Sequence, residues 1–230
     1  MKKAIALIVG AGSGLSAAVA KAFASEGLQC VLAARRIDKL KPLCDEIGAT
    51  AIVCDSSQPD QVAALFTQQD TLCDAPTVVV YNASGRVRGP LIDLDPQLVA
   101  DAIAVSAYGG FLVGQAAAKR MLKQGVGTII FTGASASVKG YAQSAAFAMG
   151  KFALRGLAQS MARELAPQNI HVAHVVIDGG ISSKDRPVPA DKPDSLLDPA
   201  AIARSYVHLL QQQRSAWTWE IEVRPWVERF

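Results

Sequence analysis

Short apolar runs alternate along this chain with longer stretches whose apolar residues recur at helical spacing. Ile5 to Val9 reads as a strand, and Leu15 to Ser25 as a helix behind it. Leu28 to Ala33 is a second strand, followed by a helix from about Ile37 to Ile47 that Gly48 can end. Ala51 to Cys54 is a third strand. Ser57 and Pro59 suit the opening of the next helix, because serine caps and proline is tolerated in a first turn. Thr77 to Tyr81 carries the Val-Val-Val character of a strand buried on both faces. Asp95-Pro96 opens one long helix toward Met121, and Thr128 to Thr132 is a fifth strand. Ala142 to Leu165 reads as helix, His171 to Ile177 as a sixth strand, and Pro199 to Gln212 as a late helix capped by Asp198. Alternation of Trp217, Trp219, Ile221 and Val223 marks a final strand.

Strands separated by helices of this length predict an α/β fold. Its expected form is one doubly wound parallel sheet of about seven strands with helices on both faces. No linker divides the chain, so residues 1–230 are expected to form a single domain. The one irregular stretch, Ser182 to Asp198, contains Pro187, Pro189 and Pro193. Its length and its place after the sixth strand predict a lid-like loop at about 182–198.

Composition narrows the functional classes. Apolar residues make up 50% of the 230 and charged ones 19%, which is globular and not disordered. A net charge of +3 and a pI near 8.7 are too mild to argue for nucleic acid. Met1-Lys2-Lys3 before the first apolar run imitates a secretory leader, but the run breaks at once into glycines, so it reads as a strand feeding a turn. No other apolar run approaches a membrane span. Cys30, Cys44, Cys54 and Cys73 have no metal-ligand or CxxC spacing, which suits reduced cysteines in a cytoplasmic protein.

Three segments carry candidate chemistry. Gly10-Ala11-Gly12-Ser13-Gly14-Leu15-Ser16 joins a strand to a helix, where glycines let a phosphate approach the helix N-terminus. Ala33-Ala34-Arg35-Arg36 ends the second strand with two guanidiniums and no carboxylate. Phe147 and Lys151 stand four apart, on one helix face.

With these segments the chain resembles the short-chain dehydrogenase/reductase family from end to end. The resemblance implies a Rossmann fold and hydride transfer between a nicotinamide and a carbonyl or alcohol. Gly10 and Gly14 match the family's glycine turn, with Ser16 in place of its third glycine and Val9 in place of the usual threonine. Gly10, Gly12, Ser13, Gly14, Leu15, Asp55, Ser56, Asn82, Ala83, Lys151, Gly179 and Ile181 are the cofactor-binding positions so implied. Asp55 would meet the adenine, though a turn aspartate reads equally from the residues alone. Where NAD-binding relatives place an acid for the ribose hydroxyls, Arg35 and Arg36 favour the 2′-phosphate of NADP(H). Solvated surface arginines are the plainer alternative.

The family's proton relay uses Asn, Ser, Tyr and Lys, and here only Lys151 matches. Phe147 occupies the tyrosine position, Ser106 the asparagine position, and Ala134 the serine position with Ser135 one residue off. Asp178 stands where the family usually has proline. Substitute donors are Ser135, Ser144, Tyr141, Tyr81 and water relayed by Lys151, each side chain reading more simply as an ordinary surface or packing residue. Asp178 reads as a turn aspartate before it reads as an acid near the nicotinamide. His171 and His174, three apart on a strand, point to opposite faces and are not a metal pair. Trp217, Trp219, Trp226 and Phe230 either pack within the chain or cover a neighbour's site. Ala116-Ala117-Ala118, Phe152, Leu154 and Leu157 offer helix faces for the homodimer or homotetramer the family implies.

The leading expectation is an NADP(H)-dependent oxidoreductase with a non-standard proton donor, acting on a small-molecule carbonyl or alcohol, with no nucleic-acid or membrane partner. The alternative is a non-catalytic NADP(H)-binding protein, a redox sensor or assembly partner. A lyase or isomerase on the same scaffold is a third reading.

Overall fold

The structure, a computed structural model, describes residues 4–228. Met1-Lys2-Lys3 and Phe230 lie outside them. Seven strands are present: β1 (Ile5–Val9), β2 (Gln29–Ala34), β3 (Thr50–Val53), β4 (Val78–Tyr81), β5 (Gly127–Thr132), β6 (Ile170–Ile177) and β7 (Glu220–Val223). They form one sheet in the order β3-β2-β1-β4-β5-β6-β7, with every neighbouring pair parallel. Parallel pairing needs crossovers, and helices supply them on alternate faces. The side chains of Ala6 and Ile8 join α1 (Leu15–Ser25), α2 (Lys41–Ile47) and α7 (Pro199–Gln211) in one core cluster. The side chains of Ile5, Leu7 and Val9 join α3 (Pro59–Leu72), α5 (Gly109–Gln124) and α6 (Ala145–Leu165) in the other. A strand alternates faces with period two, so one apolar run such as Ile5–Val9 feeds both cores.

The chain order reverses between β1 and β4, which is where doubly wound sheets open a crevice at their carboxyl ends. Val9 pairs with Tyr81 there, and Asn82 N donates to Val9 O at 2.8 Å. The turns after these two strands therefore lie side by side.

The expected long helix is real but not uniform. Pro96–Gln124 runs as 29 residues through α4 (Pro96–Ile103), a π-helical turn at Ala104–Tyr108, and α5. Asp95 caps it by accepting from the amides of Gln97 and Leu98. By length and composition this helix is apolar enough to cross a membrane, which corrects the expectation that no such segment follows the N-terminus. Val113, Ala117 and Met121 are fully buried against the sheet and its neighbours, as in the core helix of a globular fold.

Helix α6 begins at Ala145 and not at Ala142, because Gln143 holds φ +58°, outside the right-handed region. The last strand is shorter than its alternation suggests. Trp217 stacks on His171 with ring centroids 4.8 Å apart, and Thr218 N donates to the Gln212 side chain, so the ladder starts only at Glu220. Trp219 packs near the Arg155 guanidinium, so both strand tryptophans serve this chain's own packing. Trp226 is 81% exposed and donates to Asp194 in the 182–198 loop. Among the helix residues expected to face a partner, Ala117 and Leu154 instead face this chain's core, while Phe152 is exposed. All four cysteines are free, and burial pushes the Cys30 and Cys54 thiols up to about 11.

Candidate active site

Glycine is required at one point of the first turn. Gly10 holds φ +85°, and a Cβ there would stand 2.3 Å from Ala83 N. The turns after β1 and β4 are thus in backbone contact, which only a residue without a side chain permits. Asn82 strengthens the junction by donating to Gly10 O at 3.3 Å. Gly12 and Gly14 have open space where a Cβ would stand, so the rim of the turn is clear. Ser16, in place of a third glycine, is 4% exposed and accepts from Gly12 N at 2.8 Å, pinning the turn to α1. The first turn of α1 has no acidic residue and no side-chain cap, leaving amides directed at the crevice.

A cavity of about 300 Å³ opens at this junction, lined by Val9, Gly10, Ala34, Arg35, Asp55, Ser56, Asn82 and Ala83 among others. A second recess beside it adds Gly12, Ser13, Arg36 and Lys39 to Arg35, so three cations with no acid surround one end. Lys39 was not singled out from sequence, since only the helical turn at Asp38–Leu40 brings it there. Asp55 commits one carboxylate oxygen to the amide and hydroxyl of Ser57, at 3.0 and 2.8 Å, while still facing the cavity. The turn reading and the cavity reading of this residue are both realised.

The neighbouring cavity, about 470 Å³, reaches across the carboxyl ends of β5 and β6. Leu15, Asn82, Ala134, Phe147, Lys151, Gly179 and Ile181 line it together with Arg86, Thr132 and Arg186. Lys151 is 3% exposed and donates to Thr132 O at 2.7 Å. Burial, and after it the nearby Arg86 charge, pull its ammonium down to about 8. Phe147 is 9% exposed, with the Lys151 nitrogen 5.9 Å and the Arg86 guanidinium carbon 4.3 Å from its ring centre. Arg86, Thr132 and Arg186 carried no motif; they arrive through the loop after β4, the end of β5 and the 182–198 loop.

Other expected residues are placed elsewhere. Ser106, in the π-helical turn, is fully buried and accepts from Gly85 N at 2.9 Å, so it braces the loop after β4 and lines neither cavity. Tyr81 bonds Ser56 Oγ at 3.1 Å and donates to Val105 O, and burial pushes its phenol up; it is not a donor to the cavity. Asp178 is turned away and paired with Lys139 at 3.4 Å and Arg224 at 3.1 Å. It lines neither cavity, against the acid reading and in keeping with the turn reading. Ser135, Ser144 and Tyr141 line a third cavity of about 370 Å³ that shares Phe147, Arg86 and Arg186 with the second. His174 bonds Glu220 at 2.9 Å and burial pulls it down to about 4, while His171 lies on the opposite face against Trp217. Among the described residues there is no metal-binding cluster.

The two ends of the 182–198 loop are paired with each other. Ser182 N donates to Leu197 O at 2.9 Å, and Leu197 N to Gly180 O at 2.8 Å. It leaves the sheet beside Gly179, whose φ of +147° turns the chain over the cavity mouth.

Residues 4–185 match the family model of the short chain dehydrogenases. The chain belongs to that family. It is 38% identical to a short-chain dehydrogenase from Rhodopseudomonas palustris, covering 97% of this chain and 99% of that one with a TM-score of 0.83. A metagenomic short-chain oxidoreductase solved in complex with NADP is 28% identical over 98% of both chains, with a TM-score of 0.84. An uncharacterized oxidoreductase of Staphylococcus aureus (strain N315) is 26% identical over 96% of both. The seven-stranded parallel sheet with helices on both sides is the fold these family members share.

Proposed function

We propose that this short-chain dehydrogenase is an NADP(H)-dependent oxidoreductase in which Lys151, and no tyrosine, carries the proton for a small carbonyl or alcohol substrate. One observation carries the reading: the glycine-built crevice opens directly beside the cavity that holds a buried, down-shifted lysine.

The residues present fit a dinucleotide. Gly10 and Ala83 make the close backbone junction, and the uncapped first turn of α1 suits a pyrophosphate. Asp55 and Ser56 border the adenine end, and Arg35 with Arg36 and Lys39 supplies cations for a 2′-phosphate. The NADP-bound relative is in keeping with this choice. When bound, the nicotinamide supplies or accepts the hydride.

In this reading Phe147 takes the family tyrosine's position and has no proton to give. Losing a positioned general acid typically costs about 10² to 10⁴ in rate, which leaves the remaining acceleration to positioning. Lys151 Nζ is a group on the inner wall whose proton can leave near neutral pH, because burial pulls its ammonium down to about 8. The same ammonium, held to Thr132 O, has two further N–H groups to donate to sugar hydroxyl oxygens. The loop at 182–198 acts as a lid on a single domain, and the exposed Phe111, Leu122 and Phe152 on α5 and α6 are the faces for a homodimer or homotetramer.

The test is a titration with NADPH, followed by carbonyl and enone substrates with absorbance as the readout. Turnover by the wild type that vanishes in Lys151→Ala supports the proposal. A silent wild type beside an active Phe147→Tyr, Ala134→Ser variant would mark a binding protein derived from an enzyme. Absence of nucleotide binding overturns both.

A further inference from the structure

We propose that the cavity mouth is an oxyanion site, in which Arg86, Arg88 and Arg186 hold a carboxylate or phosphate group of the substrate. The proposal rests on the oxidoreductase reading for the word substrate, but the site itself stands on separate observations.

The inner and outer cavities share a wall made of Phe147, Arg86, Arg186 and the Gly179-Gly180 backbone. Arg88 joins them at the outer side. Among the described residues, no aspartate or glutamate lines either cavity. The nearest carboxylates along the chain are Asp185, beside Arg186 but lining neither cavity, and Asp178, which is occupied by Lys139 and Arg224. Like-charged groups gathered without a counter-ion destabilise one another, and an anion arriving between them removes that repulsion. The effect is visible at Arg86, whose guanidinium is pulled below its ordinary range by burial and then by Arg88 and Arg186.

Two of the three are also held in place. The Arg86 guanidinium lies over the Phe147 ring at 4.3 Å, a stacking that orients its planar fork. The Arg186 guanidinium lies against Gly180 so closely that a Cβ there would be 2.5 Å from its central carbon. A preorganised fork loses less freedom on binding an oxyanion than a free surface arginine. Phe147 thereby gains a role that a missing hydroxyl does not describe: it is the platform for an anion-binding arginine. Because the lid loop carries Arg186, an anion at this site also ties the loop to the cavity wall.

The experiment is calorimetry on the full-length protein, with and without saturating NADPH. The probes are succinate, inorganic phosphate and, as the neutral control, succinamide. Expected is 1:1 binding of at least one anion and none of succinamide. That affinity should fall about tenfold or more in Arg86→Gln and in Arg186→Gln, with charge-assisted bonds lost. It should be unchanged in Arg163→Gln, a distant surface variant whose guanidinium bonds only its own helix. Phe147→Leu, which keeps the apolar volume and removes the ring, should weaken binding as well. The tighter anion assigns the group as carboxylate or phosphate. No anion binding by the wild type, or binding indifferent to Arg86 and Arg186, overturns the site. NADPH binding without anion binding removes this site and leaves the oxidoreductase reading. Anion binding without NADPH binding does the reverse.

Discussion

Lys151 Nζ donates to Thr132 O at 2.7 Å, joining helix α6 to the carboxyl end of β5 at the floor of the inner cavity. The bond satisfies one of three ammonium donors in a site that is 3% exposed, so burial dominates and the charged form is disfavoured. The folded-state value of about 8 lies below the ordinary lysine value of about 10.4. Below pH 8 both states hold the proton and the folded state bears the full penalty. Between about pH 8 and 10.4 the folded state releases the proton while the unfolded state retains it, so stability rises with pH. The gain attributable to Lys151 approaches about 3 kcal/mol at roughly 1.4 kcal/mol per pH unit. Urea unfolding of the wild type and Lys151→Met across that range checks it, because the difference cancels other titrating groups. A difference that falls or stays flat with pH would show that the amine is not desolvated.

A tyrosine introduced at Phe147 would have the Arg86 guanidinium over its ring at 4.3 Å, while the Lys151 nitrogen, over the ring at 5.9 Å, adds positive charge only below about pH 8. Opposite charges favour the phenolate. The Phe147→Tyr phenol is therefore expected to ionise below the ordinary value of about 10, by ultraviolet difference titration against the wild type. An unshifted phenol would mean that the ring has left the wall.

Gly10→Ala places a Cβ 2.3 Å from Ala83 N at a φ of +85°. The backbone strain alone costs about 1 to 2 kcal/mol, and the two turns must also part. A lowered melting temperature and loss of NADPH binding in calorimetry are expected together. Full nucleotide affinity in this variant would show that the junction is not part of the cradle.

Arg35 and Arg36 are exposed and border one end of the crevice with Lys39. Replacing both by alanine is expected to weaken NADPH binding about tenfold or more, as charge-assisted phosphate bonds are lost. NADH binding should change little, since it lacks that phosphate. Equal losses for the two nucleotides would remove the basis for an NADP(H) preference.

Asp178 is 2% exposed and joins Lys139 and Arg224. Asp178→Asn removes the buried carboxylate while Lys139 stays solvated and Arg224 keeps Glu222, so a cost of about 1 to 3 kcal/mol is expected in chemical denaturation. The pH profile of any turnover should keep its shape, because the carboxylate faces away from the cavity. A lost acidic limb in the variant would return Asp178 to the chemistry.

The order and kind of the elements follow from residue pattern alone. Period-two and period-3.6 patterns are local, so runs such as Ile5–Val9 and the glycine turn behind it identify themselves without any tertiary knowledge. Glycine at position 10 and paired arginines at 35 and 36 were legible for the same reason, since their motif is contiguous in the chain. The breaks in regularity were not legible. The π-helical turn at Ala104–Tyr108 answers to Tyr81 and Gly85, which are distant in sequence, and the late start of α6 answers to the backbone of Gln143.

Which charges meet depends on how the chain folds back on itself. Asp178 looked available until Lys139 and Arg224 closed on it, and Ser106 until Gly85 did. Arg86, Arg88 and Arg186 come from two loops about a hundred residues apart and form one cluster, lined by no carboxylate among the described residues, only where those loops cross the carboxyl ends of the strands. Phe147 shows the same division. Its missing hydroxyl is plain in the sequence, but its contact with Arg86 exists only because the loop after β4 folds over α6. Electrostatic and stacking energies depend on distances in space, and a single chain's residue order does not carry them.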